Sequence, residues 1–312
     1  MRHERDLLGV GTIPGDDVGA SPYPRPSGKS DRRRTPGVRA LSEDDLGACL
    51  ELALDRGWKA EEAKWSLLLD VGDGLGIDDP DGGLAGAAIV TRYPPDVAVI
   101  GMLLVARRHG QRGVGRRLTQ HALSHSPAMT VFLYATPQGM PLYERMDFQV
   151  LETVVKHVGR YEPLPLGGAG PQVRSLAPAD RPEVLRLDRV VFGADRRAIL
   201  TAISTFAEQV VVAEDYRGLV GHAAAWRNLE VLHIGPVVAR DDAVARVLVD
   251  TLAVNAHGTV RIDVPERFAH FSRWSEERGL LPVDVAPLMV HGGHALPGAR
   301  QRLYAPFMQA LG

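Results

Sequence analysis

Leu103-Leu104-Val105-Ala106-Arg107-Arg108-His109-Gly110-Gln111-Arg112-Gly113-Val114-Gly115-Arg116-Arg117-Leu118 decides how this chain is read. The apolar start predicts a strand. The basic, Gly-containing middle predicts a tight turn, and the residues from Val114 an amphipathic helix. A strand, turn and helix in immediate succession aim several backbone N–H groups and a helix N-terminus at one point, a geometry that suits phosphate. Glycine is expected at 113 and 115 because a Cβ would block a diphosphate or force a strained φ. The arginines add bidentate, charge-assisted contacts. A solvated helix start is the alternative. However, cations at a helix N-terminus oppose the macrodipole, so several of them without an anion would be unfavourable.

Further along stands Ala135-Thr136-Pro137-Gln138-Gly139-Met140-Pro141-Leu142-Tyr143-Glu144-Arg145-Met146-Asp147-Phe148. The two segments, in this order, resemble the signature regions of the GNAT N-acetyltransferase superfamily. The first resembles its acetyl-CoA pyrophosphate loop, R/Q-x-x-G-x-G/A. The second resembles its LYExxGF helix and following strand. Two positions depart from the pattern. Gly110 stands where the family has Arg or Gln, with Gln111 and Arg112 beside it. Asp147 stands where the family has Gly, and Asp is among the residues that tolerate a helix-ending conformation.

The rest of the chain reads as a tandem repeat. Val38-Arg39-Ala40-Leu41 returns as Val173-Arg174-Ser175-Leu176, and Gly83-Leu84-Ala85-Gly86 as Gly218-Leu219-Val220-Gly221. Ile100-Gly101 returns as Ile234-Gly235, and Asp147-Phe148 as Gly279-Leu280. The near-constant offset indicates two copies of one fold. The expected organisation is a disordered leader over 1–36, a first domain over 37–163, a linker over 164–172 and a second domain over 173–312. Each copy reads as a short strand, helices (around Leu50–Leu69 and Val184–Phe206), a hairpin and a long apolar strand (Val97–Val105; Val231–Ala239). A helix, a further strand (Val131–Ala135; Val260–Val264), another helix and terminal strands complete it. The fold class is α/β, a mixed sheet with helices on both faces, as the resemblance implies for two tandem GNAT-like acyl-CoA N-acyltransferase domains.

The resemblance implies a reaction and a site. Acetyl-CoA would lie where two parallel strands splay, with the backbone of Leu103, Leu104 and Val105 offered to its pantetheine amides. Gln111, Arg112, Gly113, Val114, Gly115 and Arg116 would hold the pyrophosphate. Arg107 and Arg108 would reach the 3′-phosphate. Tyr143 would protonate the departing thiolate after direct attack by an amine. Glu51, Glu62 and Asp96 are candidate bases by position, each also readable as a surface carboxylate. Trp58 and Trp65 share a helix face and are either core or acceptor-pocket wall. The acceptor would be a primary amine on a small molecule or a peptide.

The second copy lacks this equipment. Ala239-Arg240-Asp241-Asp242 replaces the glycine loop with aspartates, good N-caps but poor phosphate neighbours. Ser275 occupies the tyrosine position. The copy is expected to be degenerate, completing the acceptor pocket or bracing the first. Asp188 and Phe192–Arg196 either line that pocket or form a capped ion pair.

Composition bounds the alternatives. Among 312 residues, 36 Lys and Arg stand against 38 Asp and Glu, a net charge of −2 that argues against wholesale nucleic-acid binding. The basic run Lys29–Arg34 is a solvated tail or, alternatively, a nucleic-acid arm. A lone Cys49 excludes an internal disulfide, fits a reducing, cytoplasmic setting and reads as a small buried hydrophobe. No apolar run has the length of a membrane span. The acidic turns near Asp73 and Asp79 lack the ligand pattern of a calcium loop, and His121/His125 lack a third ligand, so no metal is expected. A non-catalytic acyl-CoA-binding protein is the rival to an enzyme.

Overall fold

The computed structural model describes residues 36–127, 129–165 and 170–312. The leader before Pro36, its basic run and the middle of the linker lie outside these. The first half runs β1 (Arg39–Leu41), α1 (Leu46–Asp55), α2 (Glu62–Val71), β2 (Asp73–Asp78), β3 (Leu84–Tyr93) and β4 (Val97–Val105). It continues through α3 (Val114–Ser124), β5 (Thr130–Tyr134), α4 (Met140–Glu144) and β6 (Phe148–Gly159). The second half repeats the order: β7 (Gln172–Ser175), α5 (Arg181–Phe192), α6 (Arg197–Phe206), β8 (Gln209–Asp215), β9 (Gly218–Asn228) and β10 (Val231–Ala239). Then come α7 (Asp242–Ala253), β11 (Thr259–Pro265), α8 (Ala269–Glu276), β12 (Leu281–His291) and a short extra strand, β13 (Leu303–Ala305).

All strands join one sheet, in the order β1-β2-β3-β4-β5-β12-β6-β11-β10-β9-β8-β7, with β13 added beside β10. β3 and β4 are apolar almost throughout and buried on both faces, as strands covered by helices on each side must be. Helix α3 turns Val114, Leu118 and Ala122 inward at four-residue spacing, and α7 does the same with Val244, Leu248 and Leu252.

The terminal strands differ from expectation. Each half supplies one long strand, and the two are exchanged. β12 of the second half lies between β5 and β6 of the first, while β6 lies between β12 and β11. Neither half closes its own sheet, because the open edge of β5 is covered by β12 and that of β11 by β6. Covering an edge satisfies its backbone groups. One hydrophobic core accordingly crosses both halves, joining Trp65 and Phe132 to Phe192, Trp226 and Leu311. Residues 36–312 form a single compact unit.

Candidate active site

Strand β4 pairs with β5 in parallel only from Val97 to Val99. Its register against β3 then shifts, with Met102 at φ 49°, and the strand turns away. Gly101 sits at this bulge because the chain over Pro306–Ala310 lies against it. A Cβ there would meet the Ala310 carbonyl oxygen at 2.5 Å. Beyond the bulge the β5-facing edge of β4 is unpaired, and a cavity of about 1150 Å³ opens. Leu103, Leu104, Val105, Gln111, Gly113, Val114, Gly115, Arg116 and Tyr143 all line it. Arg112 does not; its N–H donates to the His109 carbonyl at 3.3 Å.

At one end of the cavity α3 begins. Gly113 is its N-cap in the left-handed region at φ 80°, with open space around it, so backbone conformation selects glycine here. Gly115 has a different reason: a Cβ would stand 3.1 Å from Leu142 and 3.4 Å from Val105. No side chain caps the helix, and the first N–H to find a carbonyl is that of Arg117, on Gly113. The N–H groups of Gly113, Val114, Gly115 and Arg116 therefore have no acceptor among the described residues. Arg56, Arg116 and Arg145 line the cavity and form no ion pair among the described residues. Four unpartnered N–H groups, unpaired cations and an open strand edge fit the diphosphate and amides of an extended CoA.

Arg107 and Arg108 are each partly engaged within the protein. The Arg107 N–H donates to Asp55 at 2.7 Å and its side chain to the Asp55 carbonyl. Arg108 donates to Asp79 at 2.5 Å, as His109 also contacts Asp79 at 2.5 Å. Burial tends to raise the Asp79 pKa, but the Asp81 N–H, His109 and Arg108 outweigh it and hold the carboxyl at about 2. Asp79 thus tethers the turn before α3 to the β2–β3 turn. The loop arginines were legible in sequence; the Asp79 partner of Arg108 and the Asp55 contacts of Arg107, distant along the chain, were not.

Tyr143 is buried, edge-on to Phe148 at 5.7 Å, and its hydroxyl makes no hydrogen bond among the described residues. Burial pushes its pKa up to about 12. Asp147 ends the α4 turn in the left-handed region at φ 63°, as Gly279 does in the second half at φ 81°.

The candidate bases fall elsewhere: Glu51, Glu62 and Asp96 are exposed and do not line the cavity. Trp65 is core, whereas Trp58 lines the cavity. The carboxylates that do line it are Glu61, one residue from an expected candidate, and Asp263 of the second half. Glu61 accepts from Lys64 at 2.6 Å and from Asn228. Asp263 accepts two bonds from Arg261, at 2.7 and 2.8 Å, and one from Gln309 at 2.8 Å. A signal for this second-half wall existed: Arg261 and Asp263 alternate with buried Val260, Ile262 and Val264 along β11, which places both charges on one interior face.

Among the described residues, the corresponding gap in the second half is filled. β10 leaves β11 after Ile234, but β13 pairs with β10 at Val237 and Val238 and fills the gap. Gly235 takes the Pro306 carbonyl where a Cβ would stand. Asp241 caps α7 by accepting the Val244 N–H at 3.0 Å. Ser275 is buried and donates to the Phe271 carbonyl. Asp188 and Arg196 form a buried two-bond ion pair away from the cavity, and Arg196 Nη1 donates to the Gly312 carbonyl at 2.8 Å. Burial raises the Asp188 carboxyl, but the Arg196 charge and bonds dominate and hold it far below its ordinary value.

Comparison with known proteins agrees with this geometry. The model of the acetyltransferase (GNAT) family matches residues 42–148, and that of an acetyltransferase (GNAT) domain matches 184–305. The uncharacterized N-acetyltransferase YitH of Bacillus subtilis is 25% identical over 276 residues, covering 87% of this chain and 97% of its own. A provisionally assigned acetyltransferase from Pyrococcus horikoshii superposes with a TM-score of 0.75 at 21% identity, covering 89% of this chain and 96% of that one. A tandem GNAT protein from the clavulanic acid biosynthesis pathway superposes with a TM-score of 0.62 at 16% identity, covering 83% and 99%. The chain belongs to the GNAT superfamily of acyltransferases. Its particular form is the tandem one, two GNAT domains in one polypeptide. No helix among the described residues is long and apolar enough to cross a membrane.

Proposed function

We propose that the protein transfers the acetyl group of acetyl-CoA to a primary amine, using one cofactor site, in the first domain. The observation that carries this reading is the convergence, in one cavity, of four unpartnered N–H groups at the start of α3, the open edge of β4 and the unengaged hydroxyl of Tyr143. Bound acetyl-CoA would supply a thioester, an acyl group already activated toward amines. The chain's own residues then have four tasks. Gly113 to Arg116 and the unpaired arginines hold the phosphates. Residues 103–105 align the thioester arm by backbone bonds. Tyr143, neutral below its raised pKa, donates its proton to sulfur as the C–S bond breaks and the N–C bond forms. Glu61 and Asp263 are the cavity carboxylates to which the amine's proton passes, directly or through water. Segment Pro306–Ala310 and the second domain close the acceptor side.

The test is calorimetric titration with CoA, coupled to thiol release from acetyl-CoA over an amine library. One CoA per chain is expected, because β13 occupies the second cleft. Gly113→Val should weaken CoA binding while leaving the fold intact, since only the left-handed φ is penalised. No heat with CoA, two sites per chain, or unchanged binding in the variant would overturn the reading.

A further inference from the structure

The acceptor side of the cavity is built from both domains and is rich in charge. Glu61 and Lys64 come from the start of α2, Asn228 and His233 from the β9–β10 hairpin, Arg261 and Asp263 from β11, and Gln309 from the final segment. Its carboxylates are already engaged. Glu61 has Lys64 and Asn228, and Asp263 has both Arg261 bonds and Gln309. Its cations are not used up. Lys64 Nζ spends one of three donors, on Glu61. Arg261 donates through Nε and Nη2, and its Nη1 makes no hydrogen bond among the described residues. Lys59 also lines the cavity and has no ion-pair partner among the described residues. His233 packs on Trp226 with ring centroids 4.3 Å apart. Burial, then the Arg261 charge, push its pKa down to about 3, so it stays neutral and adds no competing cation.

The chamber thus offers spare N–H donors on two partly buried cations, while each of its carboxylates is held by one of those cations and by an amide side chain. We propose that the acceptor is an amine that also bears a carboxylate, an amino-acid-type substrate whose carboxylate is seated on Arg261 Nη1 and Lys64 Nζ. This rests on the acetyl-transfer reading above and narrows it. A substrate lacking the carboxylate would enter the same chamber and leave these donors desolvated and unanswered. Sites of that kind reject such analogues strongly. Diamines are disfavoured further, because a second ammonium would face Lys64 and Arg261.

The experiment uses the full chain with acetyl-CoA. Thiol release is compared for free amino acids, the same amino acids as carboxamides, and the corresponding decarboxylated amines. The free acids should be preferred by at least about ten-fold in kcat/KM. A second readout does not need turnover: with CoA saturating, N-acetyl amino acids should bind by calorimetry and N-acetyl amino amides should not. Arg261→Gln and Lys64→Gln should each shrink the acid-over-amide preference in kcat/KM at least about ten-fold, with affinity for CoA as in the parent. Because Arg261 also holds Asp263 and Lys64 holds Glu61, a loss common to acids and amides reports on those carboxylates, and only the change in the ratio reports on the substrate's carboxylate. CoA binding by each variant reports that it is folded. If one fails to fold, the acid–amide comparison on the parent protein decides. Equal or better use of amides, peptide N-termini or diamines, or N-acetyl acids that bind no better than amides, overturns the proposal. Absence of CoA binding in the parent would instead remove the reading on which it rests.

Discussion

Tyr143→Phe separates chemistry from architecture. The phenyl ring keeps its edge-on contact with Phe148 at 5.7 Å, so the packing of α4 on β6 survives. The hydroxyl has no hydrogen-bond partner among the described residues, so its removal strands no buried group. Stability should therefore change little, by less than about 2 °C in Tm. Affinity for CoA, set by the α3 start, should hold. What is lost is the proton for the leaving sulfur. General acid catalysis is worth about 10²–10⁴-fold, so kcat should fall by ~100-fold or more, about 3 kcal/mol of barrier. The pH profile offers a second check. Burial raises the phenol from its ordinary 10.0 to about 12, so the proton is present below pH 10 and is lost only as pH rises through about 12. The parent rate should show no fall from this group between pH 8 and 10. Thiol release under saturating substrates, with calorimetry for CoA and a melting curve, measures all three quantities. A variant that keeps its CoA affinity and loses less than about three-fold in kcat refutes the assignment. So would a loss that instead follows Tyr134→Phe, since Tyr134 also lines the cavity.

Two further perturbations test how remote groups support the site. Asp188→Ala leaves Arg196 charged and buried, which costs about 3–5 kcal/mol and should lower Tm by roughly 10 °C, whereas Asp188→Leu with Arg196→Met should recover most of it. A melting series that finds the single change neutral would deny the pair its bracing role. Asp79→Asn keeps the turn's shape but removes the charge that holds Arg108 and His109, and should weaken CoA binding by about ten-fold with kcat unchanged. Its carboxyl is held at about 2 against an ordinary 3.8, so the charged tether is complete above about pH 4 and fails as pH falls through 2. Calorimetry at neutral pH decides, and equal affinities would show that the loop holds itself.

The tandem arrangement divides labour through edges. In the first domain the gap between β4 and β5 is left open, with an uncapped helix at its mouth. In the second the corresponding gap is stitched shut by β13, and the helix carries its own Asp241 cap. On the proposed function, the same fold serves once to receive a ligand and once to build the wall facing it.

The chain's order of residues was enough to show the repeat, the strand–turn–helix with its glycines, the tyrosine segment and the loss of both in the second copy. These are local patterns: apolar periodicity, glycine where φ must be positive, and an aspartate where a helix needs a cap. Gly115 was singled out for ligand approach, whereas the structure gives its lack of a Cβ a packing reason, the nearness of Leu142. Only the tertiary structure revealed the exchange of β6 and β12, the closing of the second cleft by β13, and the ion pair of Arg108 with Asp79. It alone brought Glu61, Arg261, Asp263 and Gln309 to one chamber. The reason is physical. Strand pairing and ion pairing depend on which edges and charges the fold brings within reach, and partners separated by a hundred residues leave no periodic trace along the chain.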